Sequence, residues 1–203
     1  MQFSVCPVRI GLVRHFEVKK PLPRGWMTAA QLVQWREEYE AAEVTVGAVD
    51  LCGHSWTHCW ASDAPRAWIT AQTAHSGTIV PFPQLREAET VQFPTGNLSL
   101  PVWCWHWLFR LAWATGHASQ RSARDAFLQR VREMAEKLAA QEEDTLVVCH
   151  AGLMYFLRKE LLRRGFTGPK FKIAPHARLY VFEKATGPST LRPGGAGTKT
   201  LQA

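Results

Sequence analysis

Residues 8–14 read VRIGLVR and residues 145–149 read TLVVC, and these two apolar, β-branched runs decide the fold. Both have the composition of buried strands. The first run leads directly into His15 and the second into His150. Because ligands bind beyond the carboxyl ends of the strands in open α/β sheets, we expect both histidines at that edge.

Amphipathic helices are predicted between and after these strands. Thr28 and Gln31 form a capping box that opens the helix TAAQLVQWREEYEAA. Residues 122–142 have a strong 3.6-residue period, and AGLMYFLRKELLRR continues as a helix after His150. RLYVFE, residues 178–183, resembles a last strand.

Residues 57–75 change from a short apolar strand to a helix. Ser62 or Asp63 can cap this helix, and Pro65 suits its first turn. Arg66 is therefore expected just after a strand, at the start of a helix. Residues 79–100 contain three prolines and few periodic signals, which favours a loop over most of this stretch.

Strands that alternate with helices predict an α/β fold, a single-domain three-layer sandwich whose mostly parallel sheet is covered by helices. A chain of 203 residues suits one such domain, which we place at residues 1–185. Residues 186–203 are rich in Gly, Pro, Ser and Thr, so we expect a disordered tail.

The formal net charge of +7 favours anionic ligands such as phosphate esters, nucleic acids or acidic membranes. Much of the basic excess lies in residues 158–178, where a solvated helix face is the simplest interpretation. Nucleic-acid binding through this region ranks third among the functions considered, because few aromatic residues are interleaved with the basic ones.

The cysteine pattern, the first residues and the lengths of the apolar runs predict the cellular compartment and whether the protein associates with a membrane. Its five cysteines are odd in number and scattered, which suggests reduced thiols rather than a disulfide framework. The first residues lack a basic n-region, and no run reaches the roughly 18 apolar residues that a membrane span needs. We expect a cytoplasmic protein with no membrane partner.

Four residues near the expected sheet edge suit phosphoryl transfer, namely Arg14, His15, Arg66 and His150. A phosphate monoester needs fixed positive groups around its oxygens and a nucleophile in line. A neutral imidazole is a competent nucleophile, and neighbouring arginines favour its neutral form by like-charge repulsion. Ala151 opens the helix after His150, where free backbone N–H groups would meet the phosphate.

Departure of the alcohol from the phosphate ester requires a proton donor, for which a carboxylic acid is the natural group. Glu87 and Glu89 are the candidates, and both fall in the region expected to be a loop.

Four segments resemble the signatures of the histidine phosphatase superfamily, in the branch that contains the cofactor-dependent phosphoglycerate mutases and related phosphatases. They are Leu12-Val13-Arg14-His15 (LxRHG), Ser62-Asp63-Ala64-Pro65-Arg66-Ala67 (SDxxRA, with Thr70-Ala71 or Thr73-Ala74 as its TA), Leu85-Arg86-Glu87 (LxE) and Val147-Val148-Cys149-His150-Ala151-Gly152 (VxHGG). They occur in the family's order and span most of residues 8–183.

The resemblance implies a phosphoglycerate mutase-like fold and a role for each matched residue. His15 would be the phosphorylated nucleophile, and Arg14, Arg66 and His150 would form the phosphate pocket. Glu87 would be the general acid that later helps to activate water. No metal or organic cofactor is implied.

The chain departs from the family pattern at two places. Phe16 replaces the usual glycine after the nucleophile, which removes freedom for positive φ and adds bulk near the pocket. The second basic residue of many members has no clear match here, and Lys19, Lys20 or Arg24 could supply its charge.

Two further clusters have competing interpretations. Cys52, His54, His58 and Cys59 are suitable zinc ligands, but their spacing fits no standard finger, so we predict no metal. Residues 103–113 contain four tryptophans and fall where the family places a variable insertion over the active site. Their side chains line an apolar pocket for the substrate's leaving group, or they pack in the core or a subunit interface.

The sequence therefore predicts a phosphomonoesterase that acts on a small-molecule phosphate ester through a phosphohistidine intermediate. A phosphoglycerate mutase-type phosphotransferase is the nearest alternative, and a non-catalytic phosphate-binding protein on the same fold is another. Substrate identity stays open, as does the oligomeric state, with a homo-oligomer among the options.

Overall fold

The computed structural model describes residues 7–89 and 95–184. Eight strands lie within these residues: β1 (Arg9–Arg14), β2 (Trp26–Thr28), β3 (His58–Ala61), β4 (Ile79–Pro81), β5 (Ser99–Pro101), β6 (Thr145–Cys149), β7 (Phe166–Thr167) and β8 (Leu179–Lys184). Five α-helices lie in the same residues: α1 (Ala29–Ala41), α2 (Pro65–Ala74), α3 (Val102–Thr115), α4 (Ala118–Ala139) and α5 (Ala151–Arg163).

Six strands form the main sheet in the order β4-β3-β6-β1-β8-β7. Strands β4, β3, β6 and β1 are parallel to one another. Strand β8 runs antiparallel to β1, and β7 runs antiparallel to β8. A separate two-stranded sheet joins β2 to β5. The predicted mostly parallel sheet is confirmed.

Helices cover both faces of the main sheet. Alternate residues of β6 point to opposite faces. Val147 and Cys149 belong to a cluster that includes buried residues of α4 and α5. Leu146 and Val148 belong to a second cluster, which includes Ala67 of α2. This arrangement confirms the predicted three-layer sandwich and explains why β6 reads as an unbroken apolar run.

The helix starts were predicted with mixed success. The capping box is confirmed, because Thr28 and Gln31 each hydrogen-bond the other's backbone N–H. The expected cap of α2 is wrong, since its N-cap is Ala64, which makes no side-chain cap hydrogen bond. Ser62 instead contacts His150, 2.9 Å away. Pro65 occupies the first turn of α2, as predicted.

Helix α4 begins four residues before the predicted start at position 122 and ends at Ala139, before position 142. His117 caps it, because its side chain accepts a hydrogen bond from the backbone N–H of Ser119. Histidine is not among the preferred N-cap residues, so the pattern gave no signal for this start.

The stretch expected to be mostly loop contains more structure than predicted. Strand β4 adds an edge to the main sheet, residues Pro83–Leu85 form a short 3-10 helix, and β5 pairs with β2. Pro81 is tolerated because β4 is an edge strand. Positions 90–94 lie outside the described residues, as does the tail at 186–203, so its predicted disorder stays a prediction.

None of the described helices combines the length and hydropathy that crossing a bilayer requires.

Candidate active site

Parallel pairing of β1 with β6 brings His15 and His150 together. Arg14, the last residue of β1, is in register with Cys149, the last residue of β6. Each histidine follows its strand by one residue, so the two rings meet with their centroids 5.1 Å apart. The expectation that both strands deliver a histidine to the same edge is confirmed.

The ring of His15 is held in one orientation by the backbone. Its Nδ1 lies 2.6 Å from the carbonyl oxygen of Phe16, so the N–H at Nδ1 donates to that oxygen and Nε2 keeps its lone pair. The residue is 3% exposed. Burial, with smaller contributions from the nearby Arg66 and Arg14, lowers the pKa of His15 to about 3, against the opposing effect of the Phe16 carbonyl. His15 is therefore neutral at pH 7, and burial rather than charge repulsion is the main cause.

His150 is buried and also strongly disfavours its charged form. Burial lowers its pKa well below the ordinary value, with Arg66 and His15 adding to the effect. Its Nε2 lies 2.9 Å from the hydroxyl of Ser62. Within the described part of the chain its Nδ1 has no hydrogen-bond partner, although it is buried. His150 lines a cavity of about 290 Å³ at this edge of the sheet.

Arg66 is the second residue of α2, as predicted, and its side chain is 5% exposed. Its two terminal nitrogens contact the carboxylate of Glu40 on α1, at 2.5 and 3.1 Å. Its guanidinium carbon lies 5.5 Å from the ring centroid of Tyr39. Glu40 was not predicted as a site residue, because acidic residues near the end of an amphipathic helix are ordinarily solvated.

Arg14 and His15 are braced by the segment that precedes β8. Arg14 Nη1 donates to the carbonyl oxygen of Ala174 over 2.9 Å. Nδ1 of His176 lies 2.8 Å from the carbonyl oxygen of His15, and the two rings are 5.2 Å apart. His176 was not predicted as a site residue either. Its position just before the last strand could have indicated a place near the site. Strand β8 runs antiparallel to β1, so residues that precede β8 lie close to the residues that follow β1.

Glu87 reaches the N-terminus of α5. Its Oε2 accepts a hydrogen bond of 2.8 Å from the backbone N–H of Gly152, and its Oε1 accepts one of 3.0 Å from Ala88. The N–H of Gly152, expected to be free for a phosphate, is thus bonded to Glu87, whereas Ala151 is the first residue of the helix as predicted. Glu89 lines the same cavity but has no such contact to α5 among the described residues.

The cavity beside His150 is lined by charges of both signs. Its lining residues are Arg36, Glu40, Asp63, Ala64, Pro65, Arg66, Arg86, Glu87, Glu89 and His150. Three guanidinium groups therefore face four carboxylates. Arg86 and Asp63 are joined by two hydrogen bonds of 2.7 Å each.

None of Lys19, Lys20 and Arg24, the residues suggested to supply a second basic group, lines the cavity, and the suggestion stays a prediction. Lys19 pairs with Glu43, and Lys20 pairs with Glu38. Besides Arg66, the basic side chains that line the cavity are those of Arg36 and Arg86, to which the family resemblance assigned no role.

Phe16 does not add bulk to the cavity. Its side chain is buried in a small cluster with Val18 and Val44. The backbone of Phe16 is not among the described non-glycine residues with positive φ. The geometry after His15 therefore does not depend on glycine.

A second cavity of about 200 Å³ lies between α1 and α3, and Arg36 lines both cavities. Its wall is mostly apolar and includes Trp35, Trp105 and Phe109. Trp105 is buried, and its indole N–H donates to the carbonyl oxygen of Met27 over 2.7 Å. The tryptophan-rich segment thus both packs internally and lines an apolar pocket.

No group of three or more His, Cys, Asp or Glu side chains suited to a metal ion occurs among residues 7–89 and 95–184. Of the zinc candidates considered, His54 Nδ1 lies 2.7 Å from Arg9 Nη1, and His58 pairs with Glu143.

The fold places this cluster of histidines and arginines beyond the carboxyl ends of the parallel strands, where ligands bind in open α/β sheets. The chain belongs to the histidine phosphatase superfamily (branch 1), whose family model matches residues 22–192. The match begins after Arg14 and His15, so the placement of these two residues rests on the sequence motif and on the geometry given above.

Solved structures share this fold. A protein from Escherichia coli K-12 assigned as a candidate α-ribazole-5′-P phosphatase is 21% identical with a TM-score of 0.50, over 76% of this chain and 79% of that one. The protein TTHB049 from Thermus thermophilus is 16% identical with a TM-score of 0.50, over 86% of this chain and 92% of that one. The comparison with curated protein sequences gave no match.

Proposed function

We propose that this protein is a phosphomonoesterase that forms a phosphohistidine intermediate on His15. The observation that carries the proposal is the state of the His15 ring. Its Nδ1 is bound to the Phe16 carbonyl, and burial keeps the ring neutral, so the Nε2 lone pair is available as a nucleophile.

In the first step Nε2 of His15 attacks phosphorus, and the bond from phosphorus to the ester oxygen breaks. Glu87, in its protonated form, gives its proton to the departing oxygen, which leaves as an alcohol. Arg14, Arg66, His150 and the backbone N–H of Ala151 bind the phosphoryl oxygens as negative charge redistributes.

In the second step water attacks phosphorus and the bond from phosphorus to Nε2 breaks. The Glu87 carboxylate takes one proton from that water, which restores the acid. Inorganic phosphate and neutral His15 are released, so the enzyme returns to its starting state.

The apolar cavity beside Arg36 favours a phosphatase over a mutase. A phosphoglycerate mutase-type enzyme must hold a second anionic group of its substrate in a basic pocket. The neighbouring cavity here is instead walled by side chains such as Trp105 and Phe109. Such a wall suits a phosphate ester whose leaving group is apolar or aromatic.

The alternative of a non-catalytic phosphate-binding protein required Phe16 to obstruct in-line attack. The Phe16 side chain is buried in a cluster with Val18 and Val44, which favours the enzyme. Cytoplasmic location, oligomeric state and the absence of a nucleic-acid partner stay predictions from the sequence.

Hydrolysis of p-nitrophenyl phosphate by the wild type and by His15→Ala tests the proposal, together with acid-quenched trapping of the phosphoenzyme. We expect wild-type turnover and an acid-labile phosphohistidine, both lost in His15→Ala and both kept in the control His75→Ala. Binding of phosphate esters by the wild type, with neither turnover nor labelling, would support the non-catalytic alternative.

A mutase would be recognised by transfer of phosphate within 3-phosphoglycerate at a rate above its hydrolysis. We expect the reverse order of rates, and faster hydrolysis of an aryl phosphate than of 3-phosphoglycerate.

A further inference from the structure

The carboxylate of Glu40 is bound to the guanidinium of Arg66, the arginine to which we assign phosphate binding. Both terminal nitrogens of Arg66 contact the carboxylate of Glu40. A guanidinium grips two oxygens of a ligand with just such a pair of N–H groups. A phosphate group that binds Arg66 in this way must therefore replace Glu40.

The two partners differ in their freedom to move. Arg66 is 5% exposed and packs over the ring of Tyr39, whereas the Glu40 side chain is 43% exposed, near the end of α1. Displacement of Glu40 into solvent exposes one carboxylate to water and leaves the Arg66 guanidinium in place. Movement of Arg66 would require repacking of its buried surroundings.

The cavity also offers Glu40 another partner after displacement. Arg36 lies four residues earlier on α1, on the same helix face, and lines the same cavity. Arg36 is held by a hydrogen bond of 3.0 Å from its Nη2 to the carbonyl oxygen of Ala88. A carboxylate that turns away from Arg66 can therefore pair with Arg36.

We propose that Glu40 is an internal competitor for Arg66, which occupies the phosphate-binding guanidinium until the phosphate group of a ligand displaces it. The inference rests on the proposed assignment of Arg66 to phosphate binding. Glu40 thereby sets how tightly phosphate is held, and a weakly charged ligand gains less from the exchange than a dianionic monoester does.

The experiment compares wild type, Glu40→Gln and Glu40→Ala with the matched control Glu38→Gln, which changes the same charge two residues away on α1. Glu38 pairs with Lys20 and does not line the cavity. Calorimetric titration with inorganic phosphate gives the affinity, and p-nitrophenyl phosphate hydrolysis gives KM and kcat. Thermal unfolding checks that each variant is folded.

We expect both Glu40 variants to bind inorganic phosphate roughly two- to fivefold more tightly than the wild type, the scale expected for loss of a competing charge pair with one exposed partner. KM should fall by a larger factor than kcat changes, and Glu38→Gln should match the wild type.

Equal or weaker phosphate binding by folded Glu40→Gln and Glu40→Ala would overturn the inference, and Glu40 would then be a residue that positions Arg66. That failure is distinct from failure of the proposed function. If the variants bind phosphate more tightly but the wild type hydrolyses no phosphate ester, the competitor role of Glu40 is supported and the proposed phosphatase function is rejected. If the wild type hydrolyses phosphate esters but the Glu40 variants bind phosphate with unchanged affinity, the phosphatase function is supported and the competitor role of Glu40 is rejected.

Discussion

The hydroxyl of Thr70 accepts a hydrogen bond of 2.8 Å from the backbone N–H of Phe16 and donates one of 2.7 Å to the carbonyl oxygen of Arg66. It therefore connects the residue that orients the His15 ring to the helix that carries Arg66. Thr70, rather than Thr73, is the threonine of the motif that contacts the site.

Substitution Thr70→Val should leave the buried N–H of Phe16 without its partner. We expect the free energy of unfolding to fall by about 1–3 kcal/mol, because an unsatisfied buried donor costs that much. We also expect kcat to fall about tenfold or more, since the Phe16 carbonyl would no longer hold the His15 ring as firmly. Urea unfolding and p-nitrophenyl phosphate hydrolysis measure the two effects.

Thr73→Val is the matched control, because the Thr73 hydroxyl donates only to the carbonyl oxygen of Ile69 in its own helix. Its effect on the free energy of unfolding should stay within about 0.5 kcal/mol. Equal effects of the two substitutions would show that Thr70 has no special connection to the site.

Glu87→Gln and Glu89→Gln should separate the two candidate acids. Loss of Glu87 should lower kcat roughly 100- to 10,000-fold for an alkyl phosphate, whose leaving group needs a proton. For p-nitrophenyl phosphate, whose leaving group departs as a stable anion, the rate of phosphoenzyme formation should fall much less. Hydrolysis of the phosphoenzyme, in which Glu87 takes a proton from water, should slow equally with both substrates. Glu89→Gln should have little effect with either substrate, and a larger defect in Glu89→Gln would assign the acid to Glu89.

Gly152→Ala should damage activity without unfolding the protein. A Cβ atom at this position would lie 2.6 Å from Glu87 Oε1, so the Glu87 carboxylate would have to shift. Alanine favours a helix over glycine by up to about 1 kcal/mol, which offsets local strain. We expect a loss of kcat with little change in Tm.

Gly47→Ala provides the comparison for this substitution, since an added Cβ there meets nothing within 4 Å. Wild-type kcat in Gly152→Ala would show that the position of the Glu87 carboxylate is not critical.

Protonation of the buried His15 should make stability depend on pH. Its pKa is about 3 in the folded chain and near 6.5 when unfolded. Between these values the unfolded chain binds a proton that the folded chain does not, so the free energy of unfolding falls as pH decreases below 6.5. The slope from His15 should reach about 1.4 kcal/mol per pH unit, and His150 acts in the same direction.

Urea unfolding of the wild type and His15→Gln from pH 8 to pH 5 measures this dependence. The variant should lose less stability over the range, because it lacks one of the two buried imidazoles. Identical pH dependence in both proteins would mean that His15 accepts a proton in the folded state as readily as in the unfolded chain.

Elements with a strong local pattern were predictable from the sequence. The apolar runs ending at His15 and His150 became adjacent parallel strands, and the capping box at Thr28 formed as expected. Strand β4 has only three residues and includes Pro81, so it has no measurable period and forms because β3 offers it an edge. The start of α4 depends on a histidine cap that no propensity favours.

The sequence by itself determined the placement of Arg14, His15 and His150 at one edge of the sheet. It also determined the order along the chain of the elements with a strong local pattern, which are β1, α1, β3, α2, α4, β6, α5 and β8. Local periodicity and parallel pairing are sufficient for that result. The family motifs also singled out Arg66 and Glu87 before their contacts were known.

Only the tertiary structure decided which groups these residues meet. Glu40 contacts Arg66 from 26 positions away, and Ser62 contacts His150 across 88 positions. Such contacts arise where separate helices and strands pack over one sheet, and the side chains involved show no local pattern that records their partners. The same packing excludes water from His15, and this burial is the main reason that its imidazole is neutral.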